Sequence, residues 1–111
     1  MSRDTGIAAT PEPPYTAVIF TSVRATDDGE DYARAAAEMD ALAVRQPGYL
    51  GMESARDGIG ITVSYWRTPA DARAWKAVAE HLVVQQRGRA EWYTAYRVRV
   101  ATVDRDYGFT T

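Results

Sequence analysis

Cysteine is absent from this 111-residue chain, and histidine occurs only once, at position 81. The lack of cysteine excludes disulfides, thiolate metal sites and cysteine nucleophiles. A single histidine does not form the histidine clusters that hold transition metals. We therefore expect no metal site, and His81 is the obvious residue for acid–base chemistry near neutral pH.

Long apolar runs and a strong charge of either sign are also missing. No apolar stretch approaches the roughly 20 residues of a membrane-spanning helix, and the N-terminus lacks a signal-peptide pattern. The 13 Lys and Arg side chains nearly balance 15 Asp and Glu, so no general attraction to phosphate backbones is expected. The sequence predicts a cytoplasmic protein that binds neither membranes nor nucleic acid.

The length and the N-terminal composition predict one domain preceded by a leader. A chain of this size supports a single hydrophobic core. Its first fourteen residues end in Pro11-Glu12-Pro13-Pro14, a composition that disfavours helix and sheet pairing. We expect residues 1–14 to form an extended or mobile leader and residues 15–109 to form the domain.

The residue pattern after the leader predicts two helices and four strands. Pro47 and Gly48 end the first helix, whereas Thr68 and Pro69 are suited to cap and begin the second. Gly88 interrupts the second helix before a turn that carries Trp92. Runs rich in β-branched and aromatic residues indicate the strands, and helical apolar spacing indicates the helices. The predicted strands are Tyr15–Val23, Tyr49–Arg56, Ile61–Trp66 and Tyr93–Val103, and the helices are Glu30–Arg45 and a segment from Pro69 through Val83.

This order, β-α-β-β-α-β, is the split βαβ pattern of an α+β, ferredoxin-like fold. Two helices cover one face of the four-stranded sheet, and the opposite face still carries apolar side chains. A second sheet would cover that face. We therefore expect a homodimer in which two sheets pack together about a two-fold axis.

Three segments resemble the antibiotic biosynthesis monooxygenase family. They are Ala17-Val18-Ile19-Phe20-Thr21-Ser22, Gln46-Pro47-Gly48-Tyr49-Leu50-Gly51, and Gly60–Trp66 followed by Arg73-Ala74-Trp75-Lys76. The match looks closest to an uncharacterised bacterial branch and covers Tyr15–Phe109. The resemblance implies a dimeric α/β barrel with a pocket between helices and sheet. Members include cofactor-free oxygenases of aromatic phenols or quinols, haem-degrading oxygenases and proteins without an assigned activity.

His81 is the predicted catalytic residue. It would act as a general base toward a phenol or, in the alternative reading, as an axial ligand to haem. A surface or helix-capping role is the structural alternative. The haem-degrading branch implies a helix tryptophan, a later histidine and a first-strand asparagine. Here His81 follows Trp75 by only six residues, and Ser22 and Arg24 stand where the asparagine is expected.

The predicted substrate-binding residues are mainly aromatic or polar. Tryptophan stacks on a flat aromatic ring and donates its indole N–H, although packing strand against helix is its more ordinary use. Arg97 and Arg99 share one strand face, where they hold an anionic substrate or line a dimer interface. The predicted set is Trp66, Trp75, Ser22, Gln85 and Tyr96, with Gln86 and Arg89 as a polar rim and Tyr32 as a further phenol partner.

The function hypothesis is cofactor-independent monooxygenation of a small aromatic of the phenol, quinol or anthrone type. A dry apolar pocket with one base and a few hydrogen-bond donors suffices for such a reaction. Two alternatives stay open. One is a haem-binding or haem-degrading monooxygenase, and the other is a non-catalytic dimeric module that binds a ligand or serves a stress response.

Overall fold

The computed structural model describes residues 5–25, 30–85 and 92–111. These residues form the predicted β-α-β-β-α-β order, and element boundaries agree with the prediction to within two residues where one was given at both ends. Gly88 lies outside the described residues. The elements are β1 Tyr15–Arg24, α1 Glu30–Val44, β2 Tyr49–Asp57, β3 Ile59–Trp66, α2 Pro69–Gln85 and β4 Tyr93–Val103.

The four strands form one antiparallel sheet in the order β2-β3-β1-β4. β1 is therefore a central strand, which fits the apolar residues on both of its faces. The β2–β3 hairpin is tighter than expected, because Ile59 and Gly60 already belong to β3 and only Gly58 separates the two strands. The α+β, ferredoxin-like fold is confirmed.

One face of the sheet packs against the helices, and we call it the helix face. Its core contains Trp66 of β3, Ala43 of α1, and Ala72 and Trp75 of α2, all buried. Val18 of β1 packs against this cluster, and side-chain alternation puts Phe20 and Ser22 on the same face. The helix face therefore holds the main core at one end and leaves its other end for different residues.

The opposite, open face has an apolar centre that the described helices do not cover. Ile59, Ile61 and Val23 are 49%, 41% and 39% exposed. On the same face, Arg97 and Arg99 line the β4 edge. The apolar centre lies on the face through which the sequence predicted a homodimer.

Residues 5–14 lie against one corner of the open face. The Ala8 amide donates to Glu53 Oε2 at 2.9 Å, and Ala8 lies beside Gly51. Thr10 donates to the Tyr15 hydroxyl at 2.9 Å, and that hydroxyl donates to Asp106 near the other end of the chain. The described part of the leader thus contacts the sheet, and its mobility stays a prediction.

The start of α2 matches its sequence signals. The Asp71 amide donates to Thr68 Oγ1 at 3.1 Å, which is the hydrogen bond of an N-cap threonine. Neither α1 nor α2, the helices of the described part, is long and apolar enough to cross a membrane.

Candidate functional site

Trp66 and Trp75 form the centre of the core. Their rings stack with centroids 5.6 Å apart and planes 20° apart, and Trp66 has no exposed surface. The Trp66 indole donates to Ser64 Oγ at 2.9 Å, so its polar atom is satisfied within the sheet. Their predicted substrate contacts stay predictions, but a ligand would reach Trp66 only if the core opened.

His81 lies on the exposed surface of α2. It lines an open apolar groove of about 320 Å³ together with Leu42, Ala77, Val78 and Leu82. Six residues along an α-helix correspond to a rotation of about 120° about its axis. Trp75 and His81 therefore lie on different faces of α2, and the structure does not bring them together.

Ser22 and Tyr96, by contrast, are neighbours. They are register partners between β1 and β4, and Ser22 pairs with Gly60 on its other side. Gly60 is six positions before Trp66 on β3, or about 20 Å away along the strand. The two predicted residues thus lie at the opposite end of the helix face from the tryptophan pair.

Ser22 and Tyr96 belong to a group that we call the aromatic–arginine cluster. It is formed by the ends of β1 and β2, the start of β4 and the first turn of α1. Its members are Phe20, Ser22, Arg24, Tyr32, Arg56, Trp92, Tyr93 and Tyr96.

The aromatic rings of the cluster form a continuous set of contacts. Phe20 lies 5.4 Å from Tyr93 and 5.5 Å from Tyr96, measured between ring centroids. Tyr32 contacts Tyr93 at 5.9 Å and Trp92 at 5.7 Å, in both cases edge to face. Tyr96 remains 42% exposed, so solvent reaches the set at the β4 edge. Such rings provide an apolar wall for a planar ligand.

Two guanidinium groups lie beside these rings. Arg56 Nη2 donates to Ser22 Oγ at 2.7 Å, across Gly60, which pairs with both residues. A Cβ on Gly60 would collide with the Arg56 guanidinium, so glycine provides the space for this side chain. Arg24 lies over the Tyr32 ring with its Cζ 3.8 Å from the centroid, a cation–π contact.

Tyr93 is protonated at neutral pH. Burial raises the pKa of its hydroxyl, and so does the 3.1 Å hydrogen bond with the Tyr32 hydroxyl. The positive charges of Arg56 and Arg24 act in the opposite direction on the same pKa. The cluster therefore combines neutral phenol groups with positive charge.

Sequence reasoning did not find Arg56 or Tyr93 as site residues. Tyr93 and Tyr96 differ by an odd number of positions, so simple alternation assigns them to opposite faces. A register shift between Val23 and Arg24 pairs Arg24 with Tyr93 and restores both tyrosines to the helix face.

The structure gives no side-chain positions for the remaining predicted site residues. Gln85 ends α2, and its side chain lies outside the described residues, as do Gln86 and Arg89. Within the described ranges, no three His, Asp or Glu side chains are grouped so as to hold a metal ion.

Sequence comparison connects this chain to one curated relative. The uncharacterized protein YqjZ of Bacillus subtilis is 50% identical over 101 residues, which cover 89% of this chain and 88% of YqjZ. The chain belongs to the YqjZ family. No protein-family model matches it.

Similar solved structures identify the fold of the YqjZ-family chain. A candidate antibiotic biosynthesis monooxygenase from Nitrosomonas europaea matches with a TM-score of 0.63 at 19% identity, over 89% of this chain and 96% of that one. A variant of SnoaB, a cofactor-independent oxygenase from Streptomyces nogalater, matches with a TM-score of 0.63 at 16% identity, over 84% and 95%. The YqjZ-family chain has the fold of the antibiotic biosynthesis monooxygenase type, as its sequence segments indicated.

A haem-degrading protein shares the same fold. Rv3592 from Mycobacterium tuberculosis matches with a TM-score of 0.58 at 17% identity, over 87% of this chain and all of that one. The residues predicted for haem do not fit this group here. His81 is exposed in an open groove, and Trp75 is stacked in the core on another face of α2. The described residues of this YqjZ-family chain thus form no enclosed haem site around its histidine.

Proposed function

We propose that this YqjZ-family protein is a cofactor-independent monooxygenase of a small aromatic, and that the aromatic–arginine cluster binds the substrate. The observation that carries this proposal is the combination of an aromatic wall with the guanidinium of Arg56 and the protonated Tyr93 hydroxyl. A phenol fits such a surface, because its ring packs on the wall and its oxygen meets a donor and a positive charge.

The chemistry requires an ionised substrate. A phenol or anthrone loses a proton, and the resulting anion transfers electrons to dioxygen and forms a C–O bond at a ring carbon. The hydroperoxide then loses water and leaves a carbonyl. One oxygen atom enters the product and the other leaves as water, so the substrate supplies all the electrons and no external reductant is needed.

The protein favours the ionised form through its charges. A nearby guanidinium lowers the pKa of a bound phenol, because it stabilises the anion more than the neutral form. Tyr93 donates a hydrogen bond to the anion and is no base, since its own pKa is raised. In this scheme water takes the proton. This proposal gives His81 no role. The base role predicted for it from the sequence is untested, and His81→Ala tests it.

The proposal is tested by oxygen uptake. Wild-type protein is incubated with a panel of hydroquinones and anthrones, without added flavin, metal or haem, and oxygen consumption is compared with product formation. We expect one oxygen molecule consumed per carbonyl product formed, above the rate without protein. If no compound reacts but some bind, the cluster belongs to a ligand-binding module without turnover.

We also propose that the chain forms a homodimer through the open face. Three exposed apolar side chains, Val23, Ile59 and Ile61, support this, because a second sheet removes them from water. Charge supports one orientation. Arg97 and Arg99 line the β4 edge, and Asp57 lies at the β2 edge of the same face. A two-fold axis along the strands puts β4 of one subunit over β2 of its partner and pairs these opposite charges.

The cytoplasmic location expected from the sequence stays a prediction. Fractionation of cells that produce the protein at its natural level tests it.

A further inference from the structure

We propose that Arg56 is the anchor for a carboxylate, so that the ligand of the aromatic–arginine cluster is an aromatic acid. This inference rests on the proposed function, because it takes the cluster as the ligand site. It adds the substrate class, which the fold does not specify.

Arg56 is held in place by its neighbours. Its Nη2 donates to Ser22 Oγ at 2.7 Å, and Ser22 is only 2% exposed. The guanidinium reaches from β2 to β1 over Gly60, where any larger residue would collide with it. A long side chain that is fixed in this way loses less freedom when it binds a ligand.

Arg56 also carries a positive charge that suits a carboxylate. Among residues 5–25, 30–85 and 92–111, no carboxylate lies within ion-pair distance of it. The side chain as a whole is exposed, and the bond to Ser22 uses only one of its N–H groups. A guanidinium is matched by a carboxylate, which accepts two parallel hydrogen bonds from its N–H groups.

The surroundings of Arg56 are aromatic. Tyr96 is the register partner of Ser22 on β4, and Phe20 lies 5.5 Å from Tyr96 between ring centroids. A carboxylate on Arg56 therefore places its own ring beside this aromatic wall. Aliphatic acids lack the ring, and neutral phenols lack the charge, so an aromatic carboxylate uses both features.

The test compares two ligands of the same shape. Salicylate and its neutral analogue salicylamide are titrated into the full-length protein, and binding is measured by calorimetry. We expect wild type to bind salicylate at least about tenfold more tightly than salicylamide. Arg56→Gln removes this preference, and Arg56→Lys keeps only part of it, because lysine retains the charge without the planar fork.

Two further variants separate the anchor from general effects. Gly60→Ala displaces the guanidinium from Ser22 without changing its charge, so it also lowers the preference. Arg73→Gln removes an exposed arginine on α2 and leaves the preference unchanged. Thermal unfolding of each variant verifies that it is folded.

Several results overturn the inference. These are equal binding of the two ligands by wild type, binding of neither, or an equal loss in Arg73→Gln and Arg56→Gln. If neutral quinols support oxygen uptake but wild type shows no preference for salicylate, only the carboxylate anchor is refuted. If wild type prefers salicylate but no aromatic acid supports oxygen uptake, only the proposed monooxygenase activity is refuted.

Discussion

At the scale of single residues, two glycines fix local geometry for different reasons. Gly60 has an ordinary backbone conformation, and its lack of a side chain gives room to the Arg56 guanidinium. Gly48 has a φ of +81°, and a Cβ there would also collide with the Asp71 side chain at the start of α2. Gly60 therefore bears on the site, whereas Gly48 bears on stability.

We expect Gly48→Ala to destabilise the fold by at least about 2 kcal/mol, because it combines a strained left-handed conformation with damage to the α2 cap. Gly58→Ala is the matched control. Gly58 has the same φ of +81°, but nothing lies within 4 Å of the position of its Cβ. Its expected cost is about 1 kcal/mol, from backbone strain alone. Urea unfolding measures both variants, and equal losses would refute the role of Asp71.

Single residues also show which parts of the candidate site could be predicted from the sequence. Ser22 and Tyr96 were predicted as site residues, and the structure makes them register partners. Their substrate contacts remain untested. Arg56 was missed because its contact with Ser22 joins strands 34 residues apart in sequence. Such a contact follows only from the exact pairing of β1, β2 and β3.

At the scale of elements, the N-terminal segment is attached to the β2–β3 hairpin through one carboxylate. Glu53 accepts from the Ala8 amide at 2.9 Å and from the Tyr65 hydroxyl at 2.7 Å. Burial and the hydrogen bond to Glu53 together raise the pKa of Tyr65 from 10.0 to about 12, with burial the larger cause. The neutral hydroxyl is therefore the form that the folded state favours.

This raised pKa predicts a loss of stability at alkaline pH. The unfolded state releases the Tyr65 proton near pH 10, whereas the folded state retains it up to about pH 12. The stabilisation is fully present below pH 10 and is lost as pH rises through about 12, because the unfolded state then binds fewer protons. Tyr65→Phe has a shallower loss of unfolding free energy over this range in urea titrations.

Tyr107→Phe serves as the control for the alkaline experiment, since Tyr107 is 94% exposed. Its pH profile is expected to match wild type. A Tyr65→Phe profile that is as steep as that of wild type would contradict the account of this hydrogen bond.

The elements themselves were predicted well, because their signals are local. Proline, glycine and capping residues lie next to the boundaries that they set, and side-chain alternation within each strand is visible in the sequence. The register shift that returns Tyr93 to the helix face has no such local signal. It depends on how β4 pairs with β1, and it decides which aromatic residues form the cluster.

At the scale of the whole molecule, the two faces of the sheet have different roles in this account. The helix face contains the core at one end and the aromatic–arginine cluster at the other. The open face carries an apolar centre with arginines at its β4 edge. The proposed dimer uses the second face and leaves the cluster on the first.

We expect light scattering after size exclusion to give twice the chain mass for wild type at micromolar concentration. Ile61→Asp introduces a charge in the apolar centre of the open face and shifts the protein to monomer, because a buried unpaired carboxylate is costly. Val44 on α1 is 59% exposed. Val44→Asp is therefore the control, and we expect it to keep the dimer. A monomeric wild type would refute the dimer.

The central claim is that chemistry belongs to the aromatic–arginine cluster and not to the groove of His81. Tyr96 and His81 are both solvent-exposed side chains, one in each site, and thermal unfolding verifies that each alanine variant is folded. The decisive measurement is the kcat/KM for oxygen uptake of wild type, Tyr96→Ala and His81→Ala with the same aromatic substrate. We expect the kcat/KM of His81→Ala to match wild type and that of Tyr96→Ala to fall at least about tenfold, a loss of about 1.4 kcal/mol of transition-state stabilisation. Loss of uptake in His81→Ala with full activity in Tyr96→Ala would contradict the central claim.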